Sequence, residues 1–182
     1  DQLIVATRQG MAIRFNETDA RVLGRTARGV RALNLEEDDI VVGMVPVMEN
    51  TTVLTVSENG QGRRTDPAEY RLQSRGGKGI KNYDTQKNGP VAGVLAVGEE
   101  DDVILISDDG IIIRIPVAEI STQSRYAGGV RVMRIGEGSR LVSLCRAPHE
   151  DEEEAAAESE APAEAEAPAE ETADSTGTPV EE

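Results

Sequence analysis

The stretch LQSRGGKGIK, residues 72–81, sets three glycines and three cations within ten positions. Residues of these types can cradle a nucleotide phosphate, form a tight turn, or grip a polyanion. A P-loop needs G-x-x-x-x-G-K-[ST], in which the hydroxyl after the lysine reaches a metal ion. Here Gly79 follows Lys78, and Leu72 stands where the first glycine would fall, so that chemistry is excluded. The dinucleotide pattern G-x-G-x-x-G fails on spacing. Two readings are left. One is a turn whose glycines take φ > 0. The other is a surface for a phosphate backbone, where glycines permit close approach and arginine makes bidentate contacts.

No other residues assemble a catalytic constellation in the sequence. His149 sits beside Glu150 and Asp151 and reads as a solvated junction residue. Asp38-Asp39, Asp101-Asp102 and Asp108-Asp109 fall at turns, where aspartate is favoured for local hydrogen bonds rather than for holding metal. Tyr70, Tyr83 and Tyr126 lie inside the repeats described next and read as core or rim packing. The single cysteine, Cys145, reads as a small core residue. The sequons at Asn16 and Asn50 stand in a chain with no secretion signal and are taken as chance. No metal or cofactor is expected in this segment.

The glycine loop is one of three. Blocks of fifty residues align without a gap, with Gly10, Gly60 and Gly110 in register, and likewise Arg14, Arg64 and Arg114. Arg25, Arg75 and Arg125 also align, as do Gly29, Gly79 and Gly129. Each of those glycines precedes an aliphatic and a cation: Val30-Arg31, Ile80-Lys81 and Val130-Arg131. A structural turn accounts for the glycines. It does not account for a cation pattern stamped on successive units.

Alternating aliphatics flank RQG, ENG and DDG, which read as tight hairpin turns. A short turn or helical piece follows, then the Arg-Gly loop, a strand near 30–34 of each unit, an acidic turn and a closing strand near 40–47. About four strands per fifty residues point to propeller-type blades rather than a solenoid. The expected fold is all-β, a partial β-pinwheel or propeller of three four-stranded blades. The units run 1–50, 51–100 and 101–148, with a tail over 149–182. Tryptophan is absent, which excludes WD40 and kelch signatures. A closed ring needs about four blades or more, so either the piece dimerises or further blades lie upstream of Asp1, the second being the expectation.

The spacing Gln73-x-Arg75-Gly76-Gly77-x-Gly79 resembles the gyrase A box. The fifty-residue units and the acidic tail resemble the C-terminal domain of the DNA gyrase A protein. The resemblance covers residues 1–150. It implies a pinwheel that wraps duplex DNA around a basic rim and thereby directs ATP-driven negative supercoiling by a type IIA topoisomerase. It further implies, as partners in an A2B2 holoenzyme, upstream domains of the same polypeptide and the gyrase B protein. ATP and Mg would be bound elsewhere in that holoenzyme, and the location would be cytoplasmic. Carried over residue by residue, the DNA-binding set is Gln73, Arg75, Gly76, Gly77, Lys78, Gly79 and Lys81. Arg25, Arg28, Arg31, Arg125 and Arg131 are weaker equivalents on neighbouring units, and Arg63 and Arg64 lie nearby. One departure stands out: the family's essential box lies on its first blade, whereas this one is in the middle unit. The alternatives are the C-terminal domain of the corresponding topoisomerase IV protein and a protein-interaction scaffold of propeller type.

The net charge of −15 argues against nucleic acid only until it is read by segment. Residues 151–182 hold 13 acidic and no basic residues, which leaves 21 acidic and 19 basic residues in 1–150. The tail is almost wholly Glu, Ala, Pro, Ser and Thr, with one large aliphatic, Val180. Such a composition cannot offset the entropy of ordering and is expected to be disordered. Two readings of the tail stand open, a tethered polyanion that competes with DNA for the rim and a solubilising end with no regulatory effect; unchanged DNA affinity and supercoiling on its deletion would exclude competition.

Overall fold

The computed structural model describes residues 1–149, so the expectations placed on 150–182 lie outside the described residues. In chain order the strands are β1 (Gln2–Thr7), β2 (Met11–Asn16), β3 (Val41–Val47), β4 (Thr52–Ser57), β5 (Gln61–Thr65), β6 (Ile80–Lys81), β7 (Val91–Val97), β8 (Asp101–Ser107), β9 (Ile112–Pro116), β10 (Val130–Arg131) and β11 (Leu141–Pro148). The hairpin glycines take the left-handed conformation the turns require, with φ of 85°, 76° and 84° at Gly10, Gly60 and Gly110. Short 3-10 turns at Glu17–Asp19, Pro67–Glu69 and Val117–Glu119 occupy the positions expected for a helical piece.

The sheets do not coincide with the repeats. The first has strand order β3-β1-β2-β6 and the second β10-β5-β4-β7, all antiparallel. Each four-stranded sheet therefore takes three strands from one unit and its rim strand from the next. Ile80 pairs with Ala12, and Val130 pairs with Gly62. The third sheet, β11-β8-β9, has three strands among the described residues, against an expected four. The strand expected near 30–34 of the first unit is likewise not formed at Val30-Arg31. A two-residue strand exists only when a neighbouring sheet supplies its hydrogen bonds, and the described residues offer Val30-Arg31 no preceding sheet.

The core forms between sheets. Ile4, Ala6, Ala12 and Val45 of the first unit pack with Val53, Tyr70, Tyr83, Val91 and Val94 of the second. Leu54, Val56 and Val97 of the second pack with Val103, Leu105, Val117, Ile120 and Leu141 of the third. Complete burial of each such aliphatic contributes roughly 1.5–3 kcal/mol, so adjacent units stabilise one another mainly through these shared faces. β7 packs against β3 on one side and β11 on the other. β11 ends this series, and Cys145, expected in the core, is exposed on it because no described strand covers that face.

Candidate nucleic-acid interface

The exchanged rim strands place the Arg-Gly loops at the outer edge of the sheets, the loop of one unit lying over the hairpin of the unit before it. The crossing is tight. At Gly79 (φ 76°) an added Cβ would lie 2.3 Å from the Ala12 carbonyl oxygen, and at Gly129 (φ 85°) 2.4 Å from that of Gly62. Both the backbone conformation and the space exclude a side chain there. The repeated glycine thus serves the strand exchange. Backbone bonds complete the join: Gln73 N–H donates to Arg14 O, and Gln123 N–H to Arg64 O, each at 2.8 Å.

Several arginines of the expected DNA-binding set are spent on the same joint. Arg75 donates from Nε to Asp19 O (2.7 Å) and from Nη1 to Arg31 O (3.1 Å). Arg125 repeats the second contact, from Nη1 to Lys81 O. Its Nη2 bonds the Tyr126 hydroxyl at 2.7 Å, and the guanidinium lies over that ring at 4.4 Å. Arg75 and Arg125 are half-buried and fasten each loop to the preceding unit. Gln73, also half-buried, is fixed through its backbone.

Arg63 and Arg64 do not belong to an outer surface. Arg63 is 0% exposed and donates to Asn82 O (2.5 Å), Arg125 O (2.6 Å) and Ser124 O (3.0 Å), with the Tyr83 ring centroid 4.9 Å away. Burial lowers the pKa of Arg63 from its ordinary value, yet a guanidinium stays charged in a protein. Arg64, 5% exposed, donates to Ile120 O at 2.5 Å and pairs with Glu99. Arg14 makes the same reach from the first unit, to Pro67 O (2.6 Å) and Tyr70 O (3.2 Å). The Arg14–Arg64–Arg114 register is therefore a joint between units; on the third unit Arg114 turns instead to Asp102 (2.7 Å) and Pro148 O. Asp102 also meets His149 Nδ1 at 2.7 Å, which removes that histidine from the role of a purely solvated junction. Burial works against the charge on Asp102, and the bonds from His149 and Arg114 outweigh it, holding that carboxyl below its ordinary value.

The remaining expected cations face solvent. Arg25, Arg28, Arg31, Lys78, Lys81 and Arg131 are exposed. Lys78 pairs with exposed Glu36 (3.0 Å) and Lys81 with half-buried Asp84 (3.6 Å), and since both lysines are exposed a phosphate can displace these contacts at little cost. Arg31, Lys81 and Arg131 stand at the same register in the three units, the last two closing rim strands β6 and β10.

The residues that sequence reasoning missed lie beneath the loops. Tyr83 (1% exposed) donates from its hydroxyl to Gly128 O at 2.9 Å, and Tyr70 (0%) donates to Asn82 Oδ1 at 2.7 Å. Burial raises both phenols above their ordinary value, so they remain protonated donors. The signal was in the repeat. Ile13 and Ile113 align with Arg63, and Leu33 and Met133 with Tyr83, so a core position carries a polar side chain in one unit alone. Among the described residues, no group of three His, Cys, Asp or Glu side chains could hold a metal ion, and no helix is long and apolar enough to cross a membrane.

Residues 1–48, 51–97 and 101–144 each match the family described as DNA gyrase C-terminal domain, beta-propeller. The DNA gyrase A protein of Haloquadratum walsbyi is 49% identical over 63 residues, 34% of this chain and 7% of that protein. That of Helicobacter pylori is 45% identical over 62 residues, 34% of this chain and 8% of the relative. A solved DNA gyrase A C-terminal domain superposes with a TM-score of 0.74 at 32% identity, covering 80% of this chain and 50% of that one. The C-terminal domain of DNA topoisomerase IV superposes with a TM-score of 0.76 at 23% identity, over 87% and 50%, a likeness of fold. The matches span less than a tenth of the curated relatives and half of the solved domains. With its three units each matched in turn, the chain belongs to the DNA gyrase C-terminal domain family.

Proposed function

We propose that this chain binds and wraps duplex DNA along its rim, as the C-terminal part of a gyrase A protein that works with a gyrase B protein in ATP-dependent negative supercoiling in the cytoplasm. The observation that carries this reading is the recurrence of exposed cations at one rim register, Arg31, Lys81 and Arg131, beside Arg25, Arg28 and Lys78. Backbone contacts carry no base code, so such a rim reads phosphate spacing and not sequence. Cations repeated from unit to unit repay the cost of bending the duplex by adding contacts as it curves. Arg75 supports the rim from behind by tying its loop to the preceding unit, and the contact set proper consists of the exposed cations.

The test is DNA affinity of the full 182-residue chain across a salt series, beside the triple variant Arg31→Ala, Lys81→Ala, Arg131→Ala. Each phosphate contact removed is expected to flatten the slope of log affinity against log salt by about 0.9. A folded chain that binds without salt dependence, or a triple variant with an unaltered slope, would sink the proposal.

A further inference from the structure

The loop 123–129 is held from beneath by side chains of the second unit. Arg63 donates to Ser124 O and Arg125 O, and the Tyr83 hydroxyl to Gly128 O. Three carbonyls of a seven-residue surface loop are thus drawn inward by two buried donors. The donors are themselves fixed: Arg63 also bonds Asn82 O, Asn82 accepts from the Tyr70 hydroxyl, and its amide donates to Thr55 Oγ1 at 3.3 Å. Thr55, Arg63, Tyr70 and Asn82 are each 0% exposed. The first unit has Val5, Ile13, Ala20 and Ala32 at these positions and the third has Leu105, Ile113, Ile120 and Val132, so the polar layer is particular to the middle unit.

The direction of those carbonyls has a consequence at the outer surface. The peptide bonds of the loop are trans, and in a trans peptide the C=O of one residue and the N–H of the next point opposite ways. With the carbonyls of Ser124, Arg125 and Gly128 turned inward, the amides of Arg125, Tyr126 and Gly129 turn away from the buried layer. Outward N–H groups form a surface suited to anions. The Arg125 amide already holds one, the Glu69 carboxylate, at 2.7 Å.

We infer that Arg63 and Tyr83 are positioning residues for the rim, a buried clasp that orients the peptides of loop 123–129 so that their N–H groups, with Arg131, meet a phosphate backbone. This rests on the DNA-binding reading above. The clasp uses donors that keep their protons, and Arg63's fixed fork reaches two loop carbonyls where a lysine would make a single point contact.

The test uses the full chain with Tyr83→Phe, which removes one hydroxyl and keeps the ring, and Arg63→Lys, which keeps the charge and loses the fork. Two quantities are read on each: amide hydrogen exchange and DNA affinity across salt. Exchange at residues 124–129 is expected to speed by about fivefold in Tyr83→Phe, the loss of one ordinary hydrogen bond, while residues 74–79 stay unchanged. DNA affinity is expected to fall severalfold with no change of salt slope, because no cation has been removed. Exchange unaltered at 124–129 in both variants, or raised equally across the chain, overturns the clasp. Local loosening with DNA affinity unchanged overturns its role at the rim. A wild-type chain that does not bind DNA overturns the DNA-binding reading and with it the clasp's role at the rim, and the exchange data still decide whether the clasp exists.

Discussion

Loops 73–79 and 123–129 occupy the same place in consecutive units and are fastened in different ways. The first is stitched along its edge to the backbone of the preceding unit. Gly76 (φ 82°) donates its N–H to Ala32 O at 2.7 Å, and Gly77 O accepts from Asn34 N–H at 2.9 Å. The second has Tyr126 and Ala127 at those positions, and Ala127 N–H closes a turn on Ser124 O at 3.0 Å. It is secured from below by Arg63 and Tyr83. A glycine pair lets backbone pair with backbone; where bulkier residues prevent that, buried donors replace it. The Gly-Gly of the box therefore has a structural use beside any contact with DNA.

The strongest way to break the comparison is to strike the feature the two loops share. Gly129→Ala combines left-handed strain with a Cβ 2.4 Å from the Gly62 carbonyl oxygen. It is expected to cost about 3 kcal/mol or more, because neither neighbour is a flexible side-chain end that can yield. Gly29→Ala carries a similar φ of 82° but meets nothing within 4 Å, and is expected to cost only the strain, about 1–2 kcal/mol. Urea unfolding of the two variants separates the terms, and equal losses would show that the crossing is not as close as described.

What the sequence made legible follows from this. Gly10, Gly60 and Gly110 announced their turns because a hairpin of this kind demands φ > 0 at one place. The units and their β character were plain from register and alternation. The exchange of rim strands was not, because Ile80-Lys81 reads the same whichever sheet receives it; pairing is a tertiary choice made by the hairpin it crosses. Arg63 and Arg64 were misread for a related reason. Counting cations near a loop ignores which face of β5 each occupies, and the aliphatic residues aligned with Arg63 marked that face as interior. The exposed cations, from Arg25 through Arg131, were legible as a set, because the pattern recurs unit by unit.

A middle-sized effect sharpens the distinction between fastening and contact within the first loop. Arg75→Ala removes two bonds to backbone carbonyls and is expected to cost about 1–3 kcal/mol of stability. Lys78→Ala, whose side chain is 73% exposed and pairs only with exposed Glu36, is expected to change stability by less than about 0.5 kcal/mol. On DNA the ranking is expected to reverse: if the rim binds as proposed, Lys78→Ala should flatten the salt slope by about 0.9, while Arg75→Ala should weaken binding through a loosened loop. If Arg75→Ala flattened the slope by as much and left the unfolding midpoint unmoved, Arg75 would be a phosphate contact after all.

The smallest expected effect concerns Tyr126, which stands where the first loop has Gly76. The residue is 77% exposed, and its hydroxyl and one ring face are engaged by Arg125. If the second loop is held from beneath, the aromatic is not part of its fastening, and Tyr126→Ala should shift stability by no more than about 0.5 kcal/mol. Removing it also frees one Arg125 nitrogen that now bonds the phenol, adding a donor at the rim. The variant is therefore expected to bind DNA about as well as the parent or up to about twofold tighter, since one exposed charge contact is worth a few tenths of a kcal/mol. A loss of loop protection in Tyr126→Ala as large as that in Tyr83→Phe would mean that the stacked Arg125–Tyr126 pair, not the buried layer, fixes the loop, and the contrast between the two loops would then lie on the surface and not beneath it.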